Sequence, residues 1–285
     1  MRFDTTLGLE SHKGPVATVL KFVLYAGIVI IFTGPLVGLL VSAFNHVVDP
    51  THFSLPEQLT LENFTKAGER KVYLYLVNSF VVVGFGLLLQ MVVSVFAAYA
   101  LARKKFRGMA VVLLLMLTTM MIPEEIIAIP LSVVLGDLPV LHTNLLGSYA
   151  GMILPVGAWG FSILVMTEFM KEVPVEIEEA ARIDGAGELR TFFTIILPLC
   201  RPALGVIGVF GFTMIWDQYL LPLIVATDSD QWTLPIALRT LRSDEEVGIG
   251  VLLAASLLAL LPSVIAFLAF QRQFMRGLTS GAVKG

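Results

Sequence analysis

The sequence has little charge, a single cysteine and no glycine followed directly by lysine. Charged residues make up 14% of the 285 residues, hydrophobic residues make up 56%, and the mean hydropathy is +0.85. This composition excludes an ordinary soluble domain. Cys200 alone permits no intramolecular disulfide and matches no metal-binding spacing. The missing Gly-Lys pair excludes a phosphate-binding G-x-x-x-x-G-K-[ST] loop, so the chain is not expected to hydrolyse ATP itself.

Six apolar runs are each long enough to cross a bilayer as a helix, which takes ~20 mostly apolar residues. They lie at about 20–44, 73–102, 108–129, 147–170, 203–225 and 249–270. The first run is too long for the apolar region of a signal peptide and lacks an A-x-A-like end, so we expect an uncleaved span. The sequence therefore predicts an all-α polytopic membrane protein with six transmembrane helices.

The distribution of basic residues predicts the orientation, because cytoplasmic loops are enriched in Lys and Arg. With the N-terminus inside, five of the 19 basic residues fall on the outer segments, namely Lys66, Arg70, Lys71, Arg239 and Arg242. The other fourteen fall inside. Both termini are therefore expected in the cytoplasm. The net charge of −3 gives no indication of nucleic-acid binding.

Polar residues interrupt several of the apolar runs. Asn78 lies in the second run, where such residues usually bond to neighbouring helices, although lining a transport path is an alternative. Glu124 and Glu125 follow Pro123 in the third run. Acids at that depth face a water-filled cavity or a partner. Alternatively, Pro123 begins a new helical turn near the interface and the acids complement its positive end.

The fifth run contains "WDQY", which is Trp216, Asp217, Gln218 and Tyr219. A carboxylate, an amide and two aromatic rings could form a path for a hydroxylated solute, because aromatic rings stack on sugar faces and polar groups bond to hydroxyls. An aromatic belt at the membrane interface would give the same residues without any ligand. The sequence leaves both interpretations open.

The stretch "EIEEAARIDGAGELRTFFTIILP", residues 176–198, places acids and small residues between two apolar runs. Pro174 and the acids after it are typical of a helix start. Glu178 and Arg182 are spaced i, i+4 and could pair. The glycines that begin at Gly185 should bend the chain before a second amphipathic helix. The sequence thus predicts a helix, a glycine bend and a helix on the cytoplasmic side.

Ala180 and Ala181 would let another surface approach the first of these helices closely, although an ordinary surface helix is the simpler interpretation. The spacing decides between them: E-A-A, three residues, Gly185, nine residues, then Ile195, Leu197 and Pro198. This pattern resembles the signature loop of the permease subunits of binding-protein-dependent ABC importers.

Other motifs resemble the maltose-transporter-type carbohydrate-uptake branch of that family, including "LENF", "NSF", "AAYALARKKFRG", "MIP", "PLIVAT", "TLPIAL" and "RGLTSGAVKG". The resemblance extends from about residue 60 to the end. It divides the chain into a cytoplasmic segment at 1–19, which matches no known pattern, and a permease domain at 20–285. That domain includes a coupling-helix loop at 171–201 and a tail at 271–285.

The resemblance implies the type I ABC importer permease fold and a role for each of four groups of residues. Residues implied to couple to an ATPase subunit are Glu178, Glu179, Ala180, Ala181, Arg182, Asp184, Gly185 and Ala186. A tail implied to contact the ATPase subunits contains Gly277, Leu278, Thr279, Ser280 and Gly281. Candidate pathway residues are Asn78, Glu124, Glu125, Trp216, Asp217, Gln218 and Tyr219. Candidate contacts to a solute-binding protein are Trp232, Thr233, Leu234 and Pro235.

The resemblance also implies the partners and the activity. A second related permease, two ATPase subunits that bind ATP and Mg, and an extracytoplasmic binding protein would complete a sugar importer in a bacterial or archaeal cell membrane. This chain would carry no cofactor and would not be an enzyme. An ion-coupled carrier and a permease for glycerol-phosphate or polyol substrates are the alternatives. "WDQY" departs from the family, where many members have Trp-Asn, an acid and Phe, so the chemistry of this stretch is not carried over.

Overall fold

The computed structural model describes residues 15–46, 59–244 and 246–282, of which 15–17 and 272–282 are described by their backbone only. Most of the expected N-terminal segment 1–19 therefore lies outside the described residues. Within them the chain is helical, apart from loops and one isolated antiparallel bridge between Asn45 and Leu59. The helices are α1 Pro15–Ala43, α2 Glu62–Glu69, α3 Val72–Arg103, α4 Met109–Met121, α5 Glu124–Gly136, α6 Tyr149–Ile153, α7 Gly160–Glu172, α8 Val175–Ile183, α9 Glu188–Thr191, α10 Leu197–Leu199, α11 Arg201–Trp216, α12 Leu220–Val225, α13 Leu234–Ser243 and α14 Ile249–Ala282.

Four helical segments are long and apolar enough to cross a membrane: Thr18–Ala43, Val72–Arg103, Tyr149–Glu172 and Ile249–Gln271. The third of these joins α6 to α7 through a 3₁₀ turn at Pro155–Ala158. Two further helix pairs pass the same test but are bent, so the described residues hold four spans, or six if each bent pair is one span. The prediction of an all-helical polytopic protein is confirmed.

The single span expected at 108–129 is bent and extends to Gly136. α4 and α5 meet at an angle of 111°. Pro123 lacks an N–H group and forces the residue before it into extended backbone, and Ile122 has φ −82° and ψ 124° accordingly. Each helix has 13 residues and is about 20 Å long, which is shorter than the ~30 Å hydrocarbon core. The two helices therefore form a bent pair, which counts as one span if both helices cross together.

The span expected at 203–225 is also interrupted. α11 ends at Trp216, and helical structure resumes at Leu220. Pro222 explains the gap, because it has no N–H to bond to the carbonyl of Gln218 and its ring would clash with that carbonyl in a continuous helix. The "WDQY" residues therefore lie at a break between two helices, which sends their side chains in different directions.

The 32-residue helix α3 runs through the centre of the bundle and packs against α7, α11, α6 and α13. Its ends define two sides of the molecule, which we call the Lys71 side and the Arg103 side. One apolar cluster lies nearer the Lys71 side and includes Val72 and Trp216. A second lies nearer the Arg103 side, and it includes Ala98 and Phe192. The two clusters hold α3 in place along its length.

Helix α1 is the exception to this packing. It contacts α14, through a small cluster that includes Ala43 and Leu257. None of the residues in its most apolar 18-residue stretch is buried. An apolar helix with so much bare surface requires lipid or another chain around it.

Candidate functional site

The loop 171–201 has the predicted form of a helix, a glycine bend and a helix. α8 begins directly after Pro174 and ends at Ile183, and Gly185 adopts the left-handed backbone with φ +81° that favours glycine. The second helical piece is less regular than expected, because a π turn at Phe192–Ile196 separates α9 from α10. Pro198 lies within α10, and the helix ends one residue later.

Glu178 has a different role from the expected one. It was predicted to pair with Arg182 along one face of α8. The structure instead buries it, with 4% of its surface exposed, and pairs it with Arg103 at the end of α3. Arg103 Nε donates to Glu178 Oε1, and Arg103 Nη2 donates to the carbonyl of Val173 at 2.8 Å. Glu178 therefore faces the bundle and is not available to a partner.

The two alanines of the E-A-A motif also point in different directions. Ala181 is buried within the protein, whereas Ala180 is exposed. The exposed residues of α8 and of the turn after it are Val175, Glu176, Ile177, Glu179, Ala180, Arg182, Ile183, Asp184 and Gly185, with Ala186 half-buried. Ile183 is 87% exposed. The surface that a partner could contact therefore combines charged side chains, small residues and three aliphatic side chains, of which Ile183 is the most exposed.

The second helical piece is attached to the same end of α3. Lys104 Nζ donates to Glu188 Oε1 at 2.5 Å, and Tyr99 Oη donates to the same oxygen at 3.2 Å. Both charged side chains are about half exposed. Tyr99 also packs edge-on against Phe192 with 4.9 Å between ring centroids. One turn of α3 thus holds both helical pieces of the loop.

The C-terminal residues 277–281 continue as helix α14 to Ala282 in the described backbone. The contact role implied for Gly277, Leu278, Thr279, Ser280 and Gly281 therefore stays a prediction. Their side chains lie outside the described residues.

Two of the candidate pathway residues come together. Glu124 and Gln218 line a cavity of about 310 Å³ between α4, α5, the turn before α7, and the break after α11. Trp159, which sequence reasoning missed, lines the same cavity beside Phe161, at 4.8 Å between ring centroids. Glu125 is exposed and does not line this cavity. A carboxylate, an amide and an indole ring in one cavity are suited to a hydroxylated ligand.

The remaining residues of "WDQY" do not join this cavity. Trp216 is buried, stacks on Phe212, and donates from Nε1 to the carbonyl of Ala259 at 3.1 Å. Asp217 lines a separate cavity of about 350 Å³ beside α1 and α14. The Tyr219 ring lies 4.3 Å from the guanidinium carbon of Arg239. Trp216 therefore has a packing role in this structure.

Asn78 also lies outside the cavity of Glu124 and Gln218. It is 1% exposed, and its amide nitrogen donates to the carbonyls of Asp230 at 2.8 Å and Trp232 at 2.9 Å. Its amide oxygen accepts from Tyr149 Oη at 2.7 Å. The structure therefore gives Asn78 the bonding role that was the first of its two interpretations: it fixes the loop before α13.

Most of the candidate binding-protein contacts are covered by the protein itself. Thr233 and Leu234 are buried, and the backbone N–H of Leu234 donates to Ser79 Oγ at 2.8 Å. Trp232 is half-buried against Tyr75, and Pro235 lines the cavity of Asp217. The exposed part of this segment lies just before it, at 227–230. The structure therefore leaves little of 232–235 open to a partner, and a contact of this segment with a binding protein stays a prediction.

Lys71 ties this exposed part to α3. Its ammonium lies 2.6 Å from the Asp230 carboxylate, and this hydrogen bond and charge raise the pKa of Lys71 above its usual value. Arg70 makes a similar pair with Asp244 at 2.8 Å. Sequence reasoning used these two basic residues only for orientation, because pairs separated by 159 and 174 residues carry no local signal.

Comparison with known proteins identifies the family. Residues 90–279 match the family model described as "binding-protein-dependent transport system inner membrane component". This chain belongs to that family, and the resemblance seen in the sequence is confirmed.

Several characterised relatives align along most of the chain. The arabinooligosaccharides transport system permease protein AraQ of Halalkalibacterium halodurans is 33% identical, over 97% of this chain and 100% of its own length. The diacetylchitobiose uptake system permease protein NgcG of Streptomyces coelicolor is 30% identical, over 92% and 86%. The melibiose/raffinose/stachyose import permease protein MelC of Bacillus subtilis is 32% identical, over 81% and 83%.

Two solved structures share the fold. A bacterial ABC transporter that imports the acidic polysaccharide alginate contains a chain that matches with a TM-score of 0.79 at 21% identity, over 93% of this chain and 98% of that one. The alginate transporter in complex with its pentasaccharide-bound periplasmic protein matches with a TM-score of 0.61 at 16% identity, over 88% and 92%. The predicted ABC importer permease fold is confirmed.

Proposed function

We propose that this chain forms one half of the membrane core of an ATP-driven importer, and that the importer moves a di- or oligosaccharide from a solute-binding protein into the cytoplasm by alternating access. A second, related permease forms the other half. Two ATPase subunits bind ATP and Mg and supply the energy, because this chain has no phosphate-binding loop. The chain itself is not catalytic and holds no cofactor.

The exposed face of α8 is the observation that carries this proposal. A short helix with Ile183 87% exposed beside Glu179 and Ala180 has an apolar side chain that solvent does not favour. The buried pair of Arg103 with Glu178 fixes the opposite face of the same helix. A protruding helix with one fixed face and one open face is suited to the cleft of another subunit. Basic residues are concentrated on this side, which supports its assignment to the cytoplasm.

The binding protein would dock on the Lys71 side. There the exposed residues 227–230 are held by Lys71 and by the bonds of Asn78, so a partner meets a fixed surface. The alginate transporter solved with its periplasmic protein supports this kind of partner. Fixed surfaces lose less conformational entropy on binding than mobile ones.

The cavity that holds Glu124, Gln218 and Trp159 is the candidate contact for the sugar. Its volume of about 310 Å³ falls at the lower end of the ~300–1,000 Å³ range of small-molecule sites. The indole ring can stack on the apolar face of a pyranose, and the amide and carboxylate can bond to hydroxyl groups. The relatives named for oligosaccharides support this substrate class.

Alternating access connects these parts. The loaded binding protein docks on the Lys71 side, ATP closes the ATPase subunits against α8, and the sugar cavity opens toward the binding protein. Hydrolysis then returns the cavity to the cytoplasmic side. Each state requires α8 to keep a defined position relative to the spans.

The first test is to purify the tagged chain from its own membranes and to identify its partners by mass spectrometry. An ATPase, a second permease and a binding protein are expected together. In the reconstituted complex, Glu179→Lys should abolish ATP-driven sugar uptake or assembly. Glu168→Lys, a charge reversal at another exposed position, on α7, should change neither. Full uptake by the Glu179→Lys complex would contradict the proposal.

A carrier driven by an ion gradient would behave differently. It would transport as a chain without ATPase subunits, and its uptake would depend on pH through Glu124 or Glu125. The double variant Glu124→Gln, Glu125→Gln tests this role. If its uptake keeps the pH dependence of the unsubstituted protein, these two acids do not couple transport to protons. Uptake by the isolated chain in an ion gradient would replace the importer with the carrier.

A further inference from the structure

The polar connection between α8 and α3 is made by one side chain of α3. The apolar cluster on the Arg103 side joins residues of α3, α7, the π turn and α11. In the described part of the chain, no residue of α8 belongs to this cluster. Among the hydrogen bonds and ion pairs of the described residues, the one that joins α8 to α3 is made by the guanidinium of Arg103.

This guanidinium contacts the loop at two points. One nitrogen donates to the carbonyl of Val173, which precedes α8, and another donates to Glu178 in the first turn of α8. The side chains of Arg103 and Glu178 are only 9% and 5% exposed. Because a guanidinium is planar and rigid, bonds from two of its nitrogens fix direction as well as distance.

The buried ion pair of Arg103 with Glu178 is not the most stabilising arrangement available for the contact between α3 and α8. Replacing a buried ion pair with apolar side chains of similar size is often neutral or stabilising, because the charges no longer have to lose their water. Such a replacement would remove the directional bonds. What the ionic pair adds over apolar packing is therefore a fixed orientation of α8 on α3.

We propose that Arg103 is a positioning residue for transport, which holds α8 on α3 so that a displacement of α8 moves α3 by the same amount. This inference rests on the proposed function, since it takes the docked ATPase subunits as the source of the displacement. The neighbouring pair of Lys104 with Glu188 is about half exposed, and exposed pairs of this kind contribute little. It provides the matched control.

The test measures the distance between α8 and α3 by pulsed electron paramagnetic resonance in the purified complex, without nucleotide and after trapping with ATP and vanadate. Spin labels at Glu176→Cys on α8 and Ala100→Cys on α3 use two exposed positions. The native Cys200 is fully buried and is replaced by serine. In the otherwise unsubstituted complex, we expect one narrow distance distribution that is the same in both states.

The decisive variant is the double substitution Arg103→Met, Glu178→Met, which keeps the contact apolar and leaves no charge unpaired. We expect its complex to assemble, and its distance distribution to broaden and to shift on trapping. Arg103→Lys should give a distribution of intermediate width, because its ammonium can still pair with Glu178 but lacks the planar arrangement of donors that fixes direction. Lys104→Met should leave the distribution unchanged.

Three results overturn the proposal. A distance that stays fixed in the double variant would show that the pair is not needed to hold α8. If the complex of the double variant fails to assemble while that of Lys104→Met assembles, Arg103 is needed for assembly of the complex and not for positioning α8. The absence of an ATPase from the unsubstituted complex would refute the proposed function, and the inference with it; the first two results leave the proposed function intact.

Discussion

The three hydrogen bonds of Asn78 lead to a prediction that separates its two interpretations. Asn78→Ala removes both donors to the carbonyls of Asp230 and Trp232, and it removes the acceptor of Tyr149. At ~0.6–1.5 kcal/mol for each bond, the loss amounts to about 2–4 kcal/mol. A loss of this size lowers the midpoint of thermal unfolding by about 5–10 °C.

The buried cysteine provides the assay. Because Cys200 is the single cysteine and is fully buried, a thiol-reactive fluorescent dye reports its exposure as the purified protein unfolds on heating. Tyr149→Phe removes one of the three bonds and should lower the midpoint by about a third as much. Asn78→Asp keeps the size of the side chain but sets an acceptor against two carbonyls, so it should destabilise at least as much as alanine.

The result that would refute this reasoning is an Asn78→Ala protein with an unchanged midpoint and an altered KM for sugar uptake. Asn78 would then act on the transported solute, as the pathway interpretation of the sequence requires. A lowered midpoint with an unchanged KM would support its role in fixing the loop before α13.

Two further comparisons follow from close contacts and from exposure. Gly211→Ala would place a Cβ against Gln90 Oε1 and should lower the free energy of unfolding by about 1–3 kcal/mol, which the same dye assay would detect. Gly84→Ala meets no atom within 4 Å and serves as the control. Equal midpoints for the two variants would contradict the packing of α3 against α11. Ala180→Trp should block co-purification of the ATPase subunits without lowering the midpoint, because that position is exposed. Ala181→Trp should lower the midpoint, because that position is buried. The reverse pattern would show that the exposed and buried faces of α8 are misassigned.

Local patterns predicted much of this protein. Long apolar runs gave the number and approximate places of the spans, since crossing a membrane requires length and hydrophobicity alone. The acids after Pro174 and the glycine at 185 gave the helix and bend of the loop, because these residue types act within one turn of their own position. The structure has each of these features.

Long-range pairing accounts for most of what the sequence did not reveal. Glu178 has a possible partner four residues away in Arg182, but it pairs with Arg103, which is 75 residues away. Which acid of α8 faces the bundle depends on the docking of the whole loop. The same holds for Asn78, whose three partners lie 71, 152 and 154 residues further along the chain.

The helix breaks at Pro123 and Pro222 could have been predicted from the prolines themselves. A proline removes one backbone hydrogen bond wherever it lies, but in a membrane helix the consequence varies, because neighbouring helices can satisfy the freed groups. In this protein the two prolines bend or interrupt the chain beside one cavity. Trp159, which follows the 3₁₀ turn, contributes to the same cavity for a related reason, since its position lies between two helical segments.

The unbroken length of α3 has a mechanical consequence. At 32 residues it is about 48 Å long, and it contains no proline to bend it. A tilt of ~5° about its Lys71 end would swing its Arg103 end through about 4 Å, given that length. The helix would act as a lever between the two faces of the membrane, so that a small rotation at one loop becomes a displacement of atomic size at the other.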